Sequence, residues 1–306
     1  MKGGGSEAGR GSRPGSLRWR SRRLDSPAGP LVAEVAGPSS APLLLLLPAL
    51  GRDGRDFDGL SAGLSADFQL ARLDWRGSGK NVALAASPRL DDYLGDCLAL
   101  LDALRPGEPA WILGATFGNR VARRLAARYP ARCAALVLLA AGGDSPPEPQ
   151  ATALARCFMA RLTARRQDIS CRQAGVYFGR PDYFERQPDP VAGLAVFLAG
   201  WWPACLPAQR VAARSFAEDA AADRTADIAV AGKAGAGARP SLIPPSLIIQ
   251  GLADRLAPPE NGRRLAAALA PSARLVEIPD AGHLLALEQP RALAQAILAF
   301  KSELEN

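Results

Sequence analysis

Residues 110–128 read AWILGATFGNRVARRLAAR: an apolar tetrad, a turn bounded by glycines, and a helix-forming stretch. Residues 110–113 are short and continuously apolar, as a strand buried on both faces of a parallel sheet must be. Gly114 and Gly118 bracket the turn, and a helix is expected over residues 119–128. A strand that passes into a helix this abruptly needs a sharp reversal, in which side chains at the glycine positions would collide. Working outward, the alternation continues on both sides. Residues 43–47 are five consecutive leucines closed by Pro48, and residues 134–140 and 247–250 show the same buried-strand pattern. Residues 69–74 and 274–278 add two strands, and short β-like stretches such as 31–35 precede them all. Helical periodicity covers residues 57–64, 90–104 and 260–269, and a final helix starts at Pro290, where the missing N–H is no loss. Strands alternating with helices predict an α/β fold: a mostly parallel sheet flanked by helices.

Between residues 142 and 244 the alternation stops. Helical pieces are expected at 152–165, 191–202 and 209–222, followed by an Ala- and Gly-rich loop at 229–240. The organisation expected is a disordered basic tail (1–16), a core built from 17–141 and 245–306, and an inserted helical cap (142–244).

Composition narrows the function classes. The chain has 306 residues, 48% hydrophobic and 22% charged, in the range of globular proteins. Its net charge of +7 is concentrated at the start: Lys2, Arg10, Arg13, Arg18, Arg20, Arg22 and Arg23 face one acid, Glu7. The body is close to neutral and offers no aromatic-studded basic face, which argues against a nucleic-acid partner. Five cysteines at irregular spacing imply reduced, packed thiols and a cytoplasmic location. One histidine in the whole chain argues against a His/Cys zinc site. Nothing calls for a metal or an organic cofactor. Residues 191–207 are uncharged but broken by Gly193, Gly200, Pro203 and Pro207, so no membrane span is expected.

In α/β sheets ligands bind beyond the carboxyl ends of the strands, so the turns there should carry the chemistry. Three of them stand out: Gly114-Ala115-Thr116-Phe117-Gly118, then Gly251-Leu252-Ala253-Asp254-Arg255-Leu256-Ala257-Pro258, then Asp280-Ala281-Gly282-His283. In this order, and with Asp74-Trp75-Arg76-Gly77-Ser78-Gly79 upstream, they resemble the α/β-hydrolase superfamily over about residues 30–302, most closely a bacterial branch. The resemblance implies an α/β-hydrolase fold. It also implies His283 as general base, Asp254 as the acid that orients it (Asp144 being the alternative), and Thr116 at the nucleophile position. The oxyanion donors by position are the backbone N–H groups of Phe117 and Leu50. The 74–79 turn is structural in this comparison.

Thr116 departs from the pattern, which is G-x-S-x-G. A hydroxyl is present, but a β-branched residue suits a strained turn poorly, and its methyl group would crowd the attacking oxygen. Three readings stay open. One is a hydrolase for an ester or related acyl bond of a small, apolar substrate, using Thr116, His283 and Asp254. Another is a non-hydrolytic enzyme that uses the His–Asp pair as general base. The third is a catalytically silent binding protein. Phe197, Trp201 and Trp202, in the cap, are candidates to line a substrate pocket or to pack the cap. The sequence carries no signal for an oligomeric state.

Overall fold

The computed structural model describes residues 17–82, 88–143, 145–164, 169–203 and 243–306. The tail 1–16, the helix expected at 209–222, the loop 229–240 and the alternative acid Asp144 lie outside the described residues.

Eight strands form one sheet: β1 (Arg20–Ser26), β2 (Gly29–Ala36), β3 (Leu43–Leu47), β4 (Gln69–Leu73), β5 (Ala110–Ala115), β6 (Cys133–Leu139), β7 (Ser246–Gly251) and β8 (Ala273–Ile278). Their order is β1-β2-β4-β3-β5-β6-β7-β8. β1–β2 and β2–β4 pair antiparallel, and every other pair is parallel. The leucine run shows why the interior of the sheet is parallel. Leu43, Leu45 and Leu47 enter the core on one face and Leu44 and Leu46 the core on the other. With roughly 2 kcal/mol gained for each leucine taken fully out of water, such a strand is stable only between two layers of helices.

Those layers are present. α2 (Leu90–Leu104), α3 (Phe117–Arg128) and α7 (Pro259–Ala268) cover one face, through Leu94, Val121 and Leu265 among others. α1 (Asp58–Leu64) and α9 (Pro290–Glu305) cover the opposite face, through Leu60, Ile297 and Phe300.

β1 lies within the stretch assigned to the core and takes in part of the basic cluster. Arg20, Arg22 and Arg23 belong to an ordered edge strand and point to solvent, with Leu24 as its buried residue. Part of the basic cluster is therefore explained by the fold, since charge on an edge strand discourages pairing with another sheet.

Between β6 and β7 the described residues are helical: α4 (Pro149–Thr163), α5 (Cys171–Ala174) and α6 (Pro190–Ala199). Aromatic side chains of these helices and the segments beside them, Phe158, Tyr177, Phe178, Phe197 and Trp201, form a third core. Ala49, just beyond β3, and Leu284, in the loop after β8, belong to the same cluster. The insertion thus packs on the carboxyl ends of the strands, where the three motifs lie. α6 ends at Ala199, short of the expected 202, with Gly200 as its C-cap.

Candidate active site

The turn after β5 is tighter than the sequence suggests. β5 runs to Ala115 and α3 starts at Phe117, so Thr116 alone makes the reversal. Its backbone sits at φ 50° and ψ −99°. A β-branched residue is an outlier there, and holding it costs on the order of 1–3 kcal/mol. Close backbone packing enforces it. A Cβ on Gly114 would lie 2.2 Å from the Gly118 carbonyl oxygen, and one on Gly118 would lie 2.2 Å from the Leu47 carbonyl oxygen. The Thr116 N–H donates to the Leu139 carbonyl at 3.1 Å, tying the turn to β6. Among the described residues two other non-glycine residues have positive φ, Ala140 at 49° and Asp280 at 54°, and both lie just past the carboxyl end of a strand.

The acid and base meet. Asp254, in the loop after β7, is buried, and its Oδ2 accepts a hydrogen bond from His283 Nδ1 at 2.9 Å. A carboxylate only accepts, so Nδ1 carries the proton and Nε2 is left as the basic nitrogen. The other oxygen, Oδ1, accepts from the Leu256 and Ala257 N–H groups at 2.9 and 2.8 Å. Gln250 braces this loop by donating to the Ala257 carbonyl and accepting from the Ala141 N–H. Burial disfavours the charged imidazole of His283, but the Asp254 carboxylate outweighs it and raises the pKa above the ordinary 6.5. The imidazole side chain keeps 19% exposure, so it can be reached. Among the described residues, no hydrogen bond joins the Thr116 hydroxyl to this imidazole.

The loop after β3 adjoins the same place. A turn closes from the Arg52 N–H to the Ala49 carbonyl at 3.1 Å, with Gly51 at φ 71°. The Leu50 N–H is not used by a turn of this kind. Phe117 is the first residue of α3, where backbone N–H groups have no partner inside the helix. The start of the loop after β3 lies against the elbow: a Cβ on Gly118 would fall 2.2 Å from the Leu47 carbonyl oxygen and 2.9 Å from that of Pro48. Trp75 fixes the loop further, its indole N–H donating to the Pro48 carbonyl at 3.0 Å. The 74–79 turn is structural. Asp74 accepts from the Gly54 and Lys80 N–H groups at 2.7 and 2.8 Å, and Arg76 pairs with Asp96.

The three cap aromatics separate. Phe197 borders a cavity of about 450 Å³ that Arg52, Phe178, Tyr183, Phe184 and Leu287 also line. That volume is in the range of small-molecule pockets. Trp201 is buried against Phe158 and Tyr177, with ring centroids 5.3 Å away in each case. Trp202 donates its indole N–H to Asp53 Oδ2 at 2.6 Å. A gap of about 10 Å³, enough for roughly one water, lies between Ala49, Ala115, Leu139 and His283.

A set of latches was not foreseen from the sequence. The Arg52 guanidinium pairs with Asp56, donates to the Phe197 carbonyl at 2.8 Å, and lies over the Phe197 and Trp201 rings at 4.8 and 5.0 Å. Arg55 pairs with Asp53 and donates to the Ala199 carbonyl at 2.7 Å. The Trp202 N–H donates to the Gly51 carbonyl at 2.8 Å. These bonds bridge more than 140 residues of sequence, and no local pattern announces them.

A mostly parallel sheet, a one-residue elbow after β5, and an acid and a base beyond β7 and β8 define the α/β-hydrolase architecture. Comparison agrees. The alpha/beta hydrolase family matches residues 44–296, and the chain belongs to that family. It is 29% identical over 292 residues to polyketide synthase ThaQ of Burkholderia thailandensis, covering 92% of this chain but 13% of that much longer protein. An enol-lactonase from Burkholderia xenovorans superposes with a TM-score of 0.69 at 27% identity, over 92% of this chain and all of that one. A thermophilic esterase from Thermogutta terrifontis shares the fold with a TM-score of 0.71 at 22% identity, over 94% of this chain and all of that one. No helix among the described residues is long and apolar enough to cross a membrane.

Proposed function

We propose that the protein hydrolyses an ester or related acyl bond of a small, largely apolar substrate through Thr116, His283 and Asp254. The observation that carries this reading is the Asp254–His283 hydrogen bond, made at 2.9 Å beyond the same end of the sheet as a strained, hydroxyl-bearing elbow. In the proposed reaction, His283 Nε2 takes the Thr116 hydroxyl proton as the oxygen attacks the acyl carbon. The Phe117 and Leu50 N–H groups receive the charge that builds on the acyl oxygen. The imidazolium then gives its proton to the departing alkoxide, leaving an acyl-threonine. Water, activated by the same imidazole, attacks the acyl carbon and restores the Thr116 hydroxyl. Asp254 holds the imidazole in its tautomer and stays ionised throughout. Phe197, which borders the cavity on the cap side, supplies an apolar wall. The enol-lactonase and esterase names among the structural neighbours fit acyl-bond cleavage, and enter here as support only.

The test is labelling with a fluorophosphonate, peptide mapping, and turnover of short-chain aryl esters. An adduct on Thr116 is expected. Thr116→Ser should keep or raise the rate, and Thr116→Ala should abolish it; an alanine variant as active as the parent would sink the proposal. The open link between the Thr116 hydroxyl and the imidazole favours one second reading, in which His283 acts as general base on a bound substrate without acyl transfer. That reading expects Thr116→Val to retain turnover while His283→Ala loses it.

A further inference from the structure

We propose that Glu288 is a positioning residue for His283, clamping the loop that carries the imidazole to the 177–179 segment of the cap. Glu288 ends the short helix α8 (Leu285–Glu288), five residues after the base. Its Oε2 accepts the Gly282 N–H at 2.7 Å, directly before His283. The same carboxylate accepts the Gly179 N–H, at 3.0 and 3.1 Å from its two oxygens. On the cap side, the Tyr177 carbonyl accepts from the His283 N–H at 2.9 Å and the Leu284 N–H at 3.0 Å. Three consecutive N–H groups, at 282, 283 and 284, are therefore fixed by one cap carbonyl and one carboxylate.

The two chains touch backbone to backbone between these bonds. A Cβ on Gly282 would fall 2.3 Å from the Phe178 carbonyl carbon, and one on Gly179 would fall 2.2 Å from the Asp280 carbonyl oxygen. The Ala281 carbonyl accepts the Ala253 N–H at 3.0 Å, so the base loop is also joined to the acid loop. The clamp thus sets the height and the tilt of the imidazole relative to Asp254. Glu288 is half-buried, and burial raises its carboxyl pKa, with the Gly282 and Gly179 N–H groups pulling the other way. Asp254 and Asp280 are the acidic groups that act on it. The charge of Glu288 is not among the influences on His283, which are burial and Asp254. A rotated imidazole would weaken the bond to Asp254, whereas loss of distant charge alone would leave that bond intact.

This inference uses the proposed function only in taking His283 as the base. Its test reads the imidazole itself, and the chain has one histidine, so its NMR signal needs no assignment. The full chain, Glu288→Gln and Glu288→Ala are titrated side by side, with folding checked by circular dichroism. The parent midpoint should lie above 6.5. In Glu288→Ala it should fall towards 6.5, with kcat on esters down by about 10²-fold and KM little changed. Glu288→Gln keeps one acceptor oxygen and should fall between the two. A midpoint unchanged in both variants, with only the melting temperature lowered, overturns the proposal. So does a Glu288→Gln midpoint as low as that of Glu288→Ala, because glutamine loses the charge but keeps an acceptor oxygen. If Glu288→Ala does not fold, Glu288→Gln decides alone: no shift refutes the clamp. Absence of ester turnover and of a Thr116 adduct would remove the hydrolase reading while leaving the titration result standing.

Discussion

The acid–base half of the site and the nucleophile half are held in opposite ways. Asp254 and His283 are fixed by hydrogen bonds: four to the carboxylate, from His283, Leu256, Ala257 and Gln250, and one from the His283 N–H to the cap. Thr116 has one backbone hydrogen bond, to Leu139, and is otherwise held at φ 50° by the close backbone packing at Gly114 and Gly118. A group held by hydrogen bonds has its chemistry tuned, as the raised pKa of His283 shows. A group held by contact has only its position set. The difference teaches why a Ser-to-Thr departure leaves the fold intact: the elbow is shaped by the glycines on either side, and the residue between them inherits its strain.

The comparison breaks most readily on the hydrogen-bonded side. Asp254→Asn keeps the size of the side chain but presents an amide that favours the wrong imidazole tautomer. Turnover should fall about 10⁴-fold, measured as kcat on any accepted ester, and a loss under tenfold would show that Asp254 does not orient the base. A smaller effect is expected from pH. The neutral imidazole is the base, so the rate should fall about tenfold for each pH unit below the His283 pKa, which lies above 6.5. Stability runs the other way. Because folding raises this pKa, the stabilising contribution is complete below 6.5 and is lost as pH rises through the folded value. Melting curves and rate profiles across that window should therefore have opposite slopes, and parallel slopes would contradict the assignment of the base. The smallest effect concerns the cap latch. Trp202→Phe removes the bond to Asp53, which still pairs with Arg55. It should lower stability by about 1 kcal/mol in urea unfolding, with kcat within threefold of the parent. A larger rate loss would mean that Trp202 acts on the substrate.

Much of the core was legible from the sequence. A continuous run such as Leu43–Leu47 has few alternatives to a strand with both faces covered, and the face assignment alternates as it must. The spacing of glycines, acid and histidine brought Asp254 and His283 together as expected. Strand boundaries near the elbow were less readable: Gly114 and Ala115 extend β5 because their N–H and C=O groups still pair with neighbouring strands, which residue type does not announce. The bounds of β1 were hard to read because Leu24 is its one buried residue and three of its seven residues are arginines. The Arg52, Arg55 and Trp202 latches and the Glu288 clamp were unreadable for a different reason. Each joins segments distant in sequence through a backbone group or a common charge pair, and neither leaves a periodic trace.

The latches have a bearing on molecular traffic. Arg52, Arg55 and Trp202 tie the end of α6 to the short segment that holds Leu50. Lifting this part of the cap must either break these bonds or drag that segment away from the elbow. Entry from this side therefore carries a toll of several hydrogen bonds and two ring contacts, which a guest small enough to slip past the closed cap avoids.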